Sequence, residues 1–381
     1  MINVGITGQT GFIGSHLFNQ LNLYPEEFKT IEFKDIYFAN PNQLKEWVKK
    51  CDVIVHLAAM NRHNNPEELY KTNINLVNNL VEAMKKCDSK AHLIFSSSTQ
   101  ENRDNFYGKS KKEGREILYN FSVENNSIFS GLVIPNVYGP FGNPYYNSFI
   151  ATFSYQLTHN EQPVIAVDGN VKLIYVGNLC RFIINRIREC NKREKDVTMK
   201  SVAVPHDFEK KVSEILNLLE RYKEQYYHDS IIPKLNNIDE INLFNTFRAY
   251  MEHENRYPVK LTKHTDSRGS FVETIRLGVG GQVSFSTTVP GITRGNHYHT
   301  RKIERFTVIK GKALIQLRRI GSKEILNFEL DGNEPSFVDM PIWYTHNIKN
   351  IGDEELYTIF WINEQFNPED SDTYFEKCKT K

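Results

Sequence analysis

The chain has 381 residues, which at roughly 100–200 residues per domain points to two domains. Forty per cent of residues are apolar and 24% charged, enough to build real cores and outside the composition of disordered chains. Lys and Arg number 47 against 46 Asp and Glu, a net charge of +1 with no long basic run, so nucleic acid is not expected as a partner. The opening MINVGITGQTGFIG lacks the basic and apolar regions of a signal peptide, and no window approaches 18 apolar residues, so neither secretion nor a membrane span is expected. The five cysteines are scattered without CxxC spacing and read as reduced thiols, mostly core fillers, in a cytoplasmic protein.

In chain order, Ile2–Thr7 reads as a strand, Gly14–Leu23 as a helix, Thr30–Phe33 as a strand and Asn42–Lys49 as a helix. Asp52–Leu57 is a third strand, Glu67–Lys86 a long amphipathic helix and His92–Ser96 a fourth strand. This alternation implies a Rossmann-like, doubly wound parallel sheet. After about Pro258 the pattern changes to short strands, Val283–Thr288, Phe306–Ile309, Ala313–Arg318, Ser336–Asp339 and Glu355–Asn363, separated by Gly and Pro turns. That half reads as an antiparallel sandwich or barrel. The polar, helix-prone stretch Asp239–Tyr257 joins them. The expected class is α/β plus all-β, with domains at 1–244 and 259–381 and a connector at 245–258.

The run Thr7-Gly8-Gln9-Thr10-Gly11-Phe12-Ile13-Gly14 follows the first strand and opens a helix. Gly8 permits a tight turn, Gly11 lets a pyrophosphate approach the backbone, and Gly14 allows helix–strand packing. The helix N-terminus offers N–H groups and a positive dipole to phosphate. Leu57-Ala58-Ala59 ends the third strand in small residues against which a flat cofactor can lie. Near the end of the second strand, Glu32 could bind the adenosine ribose of NAD and Lys34 could accept the 2′-phosphate of NADP. NADP through Lys34 is the preferred reading; a solvated surface lysine is the other.

Ser96-Ser97-Ser98 ends the fourth strand, and Tyr107-Gly108-Lys109-Ser110-Lys111 follows. Tyr107 and Lys111, four apart, share one face of a helix. A free phenol has a pKa near 10, and a neighbouring ammonium lowers it towards the range where it can exchange protons. A serine hydroxyl could hold a substrate carbonyl in line.

These residues resemble the extended short-chain dehydrogenase/reductase family, in which the matching Ser, Tyr and Lys carry out hydride-coupled proton transfer. The resemblance makes Tyr107 and Lys111 catalytic and cofactor-binding, and Ser98 the catalytic serine with Ser97 as fallback. Pro135-Asn136-Val137-Tyr138-Gly139-Pro140 is similar to that family's NVYGP motif, which would put Asn136 near a sugar nucleotide. The family's arginine ahead of NVYGP is missing, since the stretch reads Gly131-Leu132-Val133-Ile134. The Asp-Glu pair of sugar-nucleotide dehydratases is replaced by Thr99-Gln100, which favours carbonyl reduction over dehydration.

In the C-terminal half, the Gly291, His297, His299, Glu304 and Gly311 spacing resembles the first cupin motif. Pro341, Trp343, His346 and Asn350 resemble the second, with Trp343 where glycine is usual. In a strand His297 and His299 point to one face. With Glu304 and His346 they could surround a divalent ion, and zinc is the choice because nothing demands redox chemistry. The expected fold is a cupin β-barrel, a double-stranded β-helix. Asp266-Ser267-Arg268-Gly269-Ser270-Phe271-Val272-Glu273 and Arg294-Gly295-Asn296-His297 also resemble the nucleotide-sugar 3,5-epimerases. By that resemblance Arg268, Glu273 and Arg294 contact substrate and His297 is the base. A metal-bound imidazole cannot also take a proton, so Lys302 or Tyr344 could serve instead.

The whole chain resembles the family of bifunctional capsular-polysaccharide enzymes that join such a reductase to such a cupin. The resemblance implies C-3 epimerisation of UDP-2-acetamido-2,6-dideoxy-β-L-arabino-hexos-4-ulose, then NADPH-dependent C-4 reduction to the L-talose product on the route to UDP-N-acetyl-L-fucosamine. It also implies a homodimer formed through the cupin. A metal-dependent cupin oxygenase and a non-catalytic dimerising cupin are the other readings.

Overall fold

The structure is a computed structural model that describes residues 1–192, 198–267 and 269–379. The chain divides into two compact units, Met1–Phe149 with Val167–Val212, and Ile150–Ala166 with Ser213–Lys381. The strands of the first unit are β1 (Ile2–Thr7), β2 (Phe28–Ile31), β3 (Val53–His56), β4 (His92–Ser98), β5 (Phe129–Ile134), β6 (Asn136–Tyr138), β7 (Asn170–Tyr175), β8 (Met199–Ala203) and β9 (Phe208–Lys211). Six of them pair in parallel in the order β2-β1-β3-β4-β5-β8, while β6, β7 and β9 form a small separate sheet. The helices are α1 (Phe12–Leu21), α2 (Pro41–Val48), α3 (Pro66–Lys86), α4 (Phe106–Glu124), α5 (Phe149–Thr158) and α6 (Val176–Lys192); α5 packs almost wholly with the second unit.

Every residue of β3 is buried, as expected of a central strand covered on both faces. One core layer lies between the sheet and α2, α3 and α4, where Trp47, Val77, Leu80, Met84, Leu118 and Phe121 meet Ile54, Leu93, Phe95 and Phe129. Strand order reverses between β1 and β3, so the crevice at their carboxyl ends is where an open α/β sheet binds its ligand. The expected Rossmann-like architecture is present.

In the second unit the strands are β10 (Val259–Lys260), β11 (Lys263–Asp266), β12 (Gly269–Val272), β13 (Gln282–Thr288), β14 (Thr293–Tyr298), β15 (Glu304–Lys310), β16 (Lys312–Arg319), β17 (Leu326–Asp331), β18 (Ser336–Met340), β19 (Tyr344–Asn350), β20 (Leu356–Ile362) and β21 (Tyr374–Phe375). Two five-stranded antiparallel sheets, β10-β18-β15-β20-β13 and β17-β16-β19-β14-β21, have the cupin-like arrangement anticipated for this half. Ala313, Ile315, Leu317, Phe328, Phe337, Val338 and Ile348 form their shared core.

The division differs from the sequence expectation, which ended the first domain at Phe244 and treated 245–258 as a connector. Helices α7 (Val212–Tyr222), α8 (Ile238–Arg248) and α9 (His253–Arg256) pack with the all-β half. Phe244, Phe247 and Arg248 are fully buried. Arg248 donates to Tyr226 Oη at 3.2 Å and to the Met340 carbonyl at 3.1 Å, and Tyr226 donates to Asp339 Oδ2 at 2.6 Å. Asp339 also holds Arg305 through two hydrogen bonds of 2.7 and 3.0 Å. A sequence pattern read as polar therefore hid a satisfied buried network, the only form in which such charges are tolerated in a core.

Candidate functional site

In the first unit, Gly8 follows β1 with φ +68°, a left-handed position that favours glycine, and a Cβ there would lie 3.0 Å from Ala58 backbone atoms. At Gly14 a Cβ would stand 2.2 Å from the Gly8 carbonyl oxygen, so α1 can start this close to β1 only with glycine. Thr7 Oγ1 accepts the Ala58 amide at 3.2 Å and pairs with His56 Nδ1 at 2.7 Å, which ties the end of β1 to the small residues after β3. Helix α1 has no side-chain cap and no acidic residue in its first turn, so the amides around Phe12 and Ile13 present positive potential. Thr10 and Gly11 are exposed on this loop. Leu57, Ala58 and Ala59 are half-buried. Gln9 Oε1 accepts the Phe33 amide at 3.1 Å and draws the segment after β2 to the loop. That strand ends at Ile31, so Glu32 and Lys34 both lie beyond it, exposed on either side of buried Phe33. The cradle fits a dinucleotide.

Serines 96–98 end β4 and differ in role. Ser96 donates to the His56 carbonyl at 3.2 Å and Ser97 to Glu101 Oε2 at 2.5 Å, and both are buried. Ser98 is half-buried, and its oxygen accepts the Gln100 amide at 3.2 Å, leaving its proton available to a substrate. Tyr107 enters α4 through a cap in which Asn105 Oδ1 accepts the Gly108 amide at 2.7 Å. Gly108 lets this helix start lie on the turn after β4, since a Cβ there would meet Gln100 O at 2.1 Å. Asn73 of α3, which sequence reasoning passed over inside an amphipathic helix, joins Met60 to Ser110 through bonds of 2.7 to 3.0 Å. Tyr107 and Gln100 line a cavity of about 510 Å³.

Lys111 is buried, its Nζ 2.9 Å from the Ser96 carbonyl and 5.7 Å from the Tyr107 ring centroid. Burial pushes its ammonium down to about 8. Burial, with Tyr146 adding to it, pushes the Tyr107 phenol up to about 12. The direction is therefore upward, opposite to the lowering expected from the lysine, because burial disfavours the phenolate. Glu101, the carboxylate of the turn after β4, is bonded to Arg115 at 2.8 and 3.0 Å and is not free for acid–base work. Asn136 is exposed at the start of β6 and donates to the Lys172 carbonyl at 3.4 Å.

In the second unit His297, His299, Glu304 and His346 bring one ligand atom each within 4.8 Å of one another. The sequence placed both first-motif histidines on one strand, whereas β14 ends at Tyr298 and carries a register shift between Gly295 and His297. His299 Nδ1 lies 2.5 Å from the Asp372 carbonyl and His346 Nδ1 3.2 Å from the Tyr344 carbonyl. Both rings thus turn Nε2 inward, to 3.0 and 3.2 Å from Glu304 Oε2, and none of these three buried atoms makes an aligned hydrogen bond. Such an orphaned donor set, oriented from behind by carbonyls, fits a divalent metal. Burial, aided by the neighbouring imidazoles, pushes His297 down to about 3, so it is neutral near pH 7.

Trp343 sits at φ +61°, which accounts for the glycine usual at that motif position. Asp372, 70 or more residues from its partners, accepts the amides of Thr300, Arg301 and Lys302 at 3.0 to 3.2 Å and fixes the turn after His299. No local sequence signal marks it. Lys302 Nζ donates to the Ser371 carbonyl at 2.6 Å, with Glu364 at 3.9 Å. Tyr344 packs its ring edge-on to His253 beside Arg319. Arg294 is exposed and donates to Thr288 Oγ1 and the Thr287 carbonyl at 3.1 and 3.0 Å. Glu273 is exposed and paired with Arg276 at 2.6 Å. Arg268 lies outside the described residues.

Residues 4–199 match the NAD dependent epimerase/dehydratase family. The chain belongs to that family. Residues 264–374 match the polysaccharide biosynthesis C-terminal domain. Over 375 residues the chain is 29% identical to UDP-2-acetamido-2,6-beta-L-arabino-hexul-4-ose reductase of Pseudomonas aeruginosa, covering 98% of each. The crystal structure of the capsular polysaccharide assembling protein CapF from Staphylococcus aureus aligns with a TM-score of 0.61 and 32% identity, over 99% of this chain and all of that one. Part of the chain is also similar to the spore coat polysaccharide biosynthesis protein SpsL of Bacillus subtilis, 28% identical over 123 residues, 30% of this chain and 82% of that protein. The expected kinship with this group of capsular-polysaccharide proteins is thus met along the whole chain. Among the described residues no helix is long and apolar enough to cross a membrane.

Proposed function

We propose that this chain is a bifunctional nucleotide-sugar enzyme of capsule or O-antigen synthesis. Its cupin-like half epimerises C-3 of UDP-2-acetamido-2,6-dideoxy-β-L-arabino-hexos-4-ulose, and its first unit then reduces C-4 with NADPH to the L-talose product. The reading rests on Ser98 at the end of β4, Tyr107 and buried Lys111 in α4, and a glycine cradle at the switch point of the same sheet. The likeness along the whole chain to a reductase named for that keto sugar supports it.

Bound NADPH supplies the hydride, with Lys34 as the cation for its 2′-phosphate. Ser98 donates a hydrogen bond to the C-4 carbonyl and holds it in line. Tyr107 gives its proton to the oxygen as negative charge develops there. Burial lowers the Lys111 ammonium to about 8, which makes it a ready source for reprotonating the phenol. Thr99 and Gln100 stand where elimination of water would need an acidic pair, and Glu101 beside them is paired with Arg115.

In the other half the 4-keto group acidifies the C-3 proton, which must leave before reduction destroys the ketone. His297, the one half-exposed member of its cluster, is the proton acceptor in this reading. His299, Glu304 and His346 would hold zinc, which would supply positive charge to the site, while His297 stays off the metal and keeps its lone pair for the C-3 proton. Arg294 and Glu273, both exposed, contact the substrate. Supplying the 4-keto UDP sugar with NADPH in heavy water and reading products by NMR tests both steps. Deuterium at C-3 and an alcohol at C-4 are expected; absence of NADPH oxidation overturns the reading.

A further inference from the structure

The segment between β3 and α3 was absorbed by neither the cofactor loop nor the Ser–Tyr–Lys set, yet it forms one wall of the cavity that contains Tyr107. Asn61, Arg62, His63 and Asn64 line that cavity together with Gln100 and Tyr107. Two of the four carry basic side chains, and among the described residues no Asp or Glu lines the cavity. The basic groups are held in place. Arg62 Nη1 donates to the Tyr145 carbonyl at 3.4 Å, which links this segment to the chain around Tyr146. His63 Nδ1 is tied to the backbone of Asn65, 3.0 Å from its carbonyl and 3.1 Å from its amide, which leaves Nε2 on the outer edge of the ring. Asn65 in turn caps α3 by accepting the Glu67 amide at 3.0 Å, so the segment is anchored to a long helix. Its root is fixed by Asn73, which bonds both backbone groups of Met60.

The cavity has the volume of ordinary small-ligand sites, roughly 300–1,000 Å³. In a sugar nucleotide whose C-4 oxygen meets Tyr107, the diphosphate on C-1 leaves from the opposite side of the ring, about one sugar diameter away. Arg62 lines the same cavity as Tyr107 and carries the long cationic side chain that such a group calls for. Guanidinium groups bind phosphate oxygens in pairs, and a wall without carboxylates leaves them uncompensated until such an anion arrives.

We propose that Arg62, assisted by His63, is the diphosphate clamp of the reductase cavity and sets its selectivity for nucleotide-linked over free sugars. The inference rests on the reductase function proposed above. It assigns Arg62 to binding of the substrate's leaving side, remote from the reacting carbon and from the cofactor's own phosphates at Gly8–Gly14. Losing the contact therefore weakens substrate and transition state alike, which raises KM and spares kcat.

The test uses the full-length chain and the variants Arg62→Gln and Arg62→Lys. With the 4-keto UDP sugar, Arg62→Gln is expected to raise KM by about tenfold or more, the loss of a charge-assisted hydrogen bond, with kcat and the KM for NADPH nearly unchanged. Arg62→Lys recovers part of the loss. UDP and uridine serve as competing probes of the reduction: the variant loses inhibition by UDP but keeps that by uridine. An unchanged UDP inhibition constant, or equal weakening of both probes, overturns the clamp while leaving the reductase reading intact. Failure of the wild-type chain to oxidise NADPH overturns the reductase reading instead. Calorimetric binding of UDP and uridine to wild type and Arg62→Gln then still decides the clamp, which fails if the preference for UDP is the same in both.

Discussion

Gly108→Ala isolates the contact that places Tyr107. In a free helix this change is favourable, since alanine exceeds glycine by up to about 1 kcal/mol. Here the added Cβ would lie 2.1 Å from Gln100 O and 2.9 Å from Gln100 C, both backbone atoms of the turn that follows the serines. Restoring 3.0 Å, the closest approach real Cβ atoms keep, requires the helix start and that turn to part by roughly 0.9 Å. Such overpacking costs about 1–3 kcal/mol and outweighs the propensity gain. Ser98 caps the turn and Tyr107 adjoins Gly108, so the displacement falls between the two groups that must hold one carbonyl oxygen. A misplacement near 1 Å lowers turnover by about 10²-fold. NADPH oxidation should fall by that factor while cofactor affinity stays unchanged, because Gly8 and Gly14 are untouched. Gly169→Ala, with nothing within 4 Å of the new atom, is the control. A folded Gly108→Ala variant that turns over at the wild-type rate refutes the argument.

Tyr107→Phe should lower reduction by about 10²–10⁴-fold, the usual contribution of a general acid, while deuterium still enters C-3; near-normal NADPH consumption counts against the role. Lys111→Met should also slow reduction, and its stability has a signed pH dependence. The folded value is about 8 against 10.5 for a free lysine, so the unfolded chain binds the extra proton between these limits and wild-type stability rises with pH through that window. The methionine variant should therefore gain most on wild type below pH 8, by at most about 3 kcal/mol, and lose the advantage by pH 10.5; parallel urea stabilities at pH 7 and 10 would contradict this. His299→Ala should abolish tight divalent metal binding, measured by elemental analysis after dialysis, yet keep NADPH-dependent reduction of pre-epimerised ketone; retained metal at full stoichiometry argues against the cluster. Asp339→Asn strips the charge partner from buried Arg305 and Arg248, and urea unfolding should show a loss of about 3–5 kcal/mol, with less than about 1 kcal/mol speaking against the network.

What the sequence determined by itself was local or periodic. The β1–glycine loop–α1 unit is contiguous, so strand, turn and helix start were legible from residues 2 to 21, and the structure places them within two residues of expectation at each boundary. The spacing of Tyr107 and Lys111 fixed a shared helix face. The changes from helical to alternating pattern separated the two halves of the chain. Distance along the chain hid the rest. Which of three adjacent serines stays open follows from His56, Glu101 and Gln100, whose positions depend on strand pairing and on the turn after β4. Asp372 holds the turn after His299 from the far end of the chain. The Ser96 carbonyl holds Lys111, and burial, with Tyr146 adding to it, raises the phenol of Tyr107. Helix α8 looked like a polar link because Arg248 is charged, and only its meeting with Tyr226 and the Met340 carbonyl makes that charge a core residue. Backbone propensity and glycine geometry act within a few residues and can be read in one dimension. Desolvation, and the pairing of charges that compensates it, depend on which distant segments exclude water together, and only the folded chain decides that.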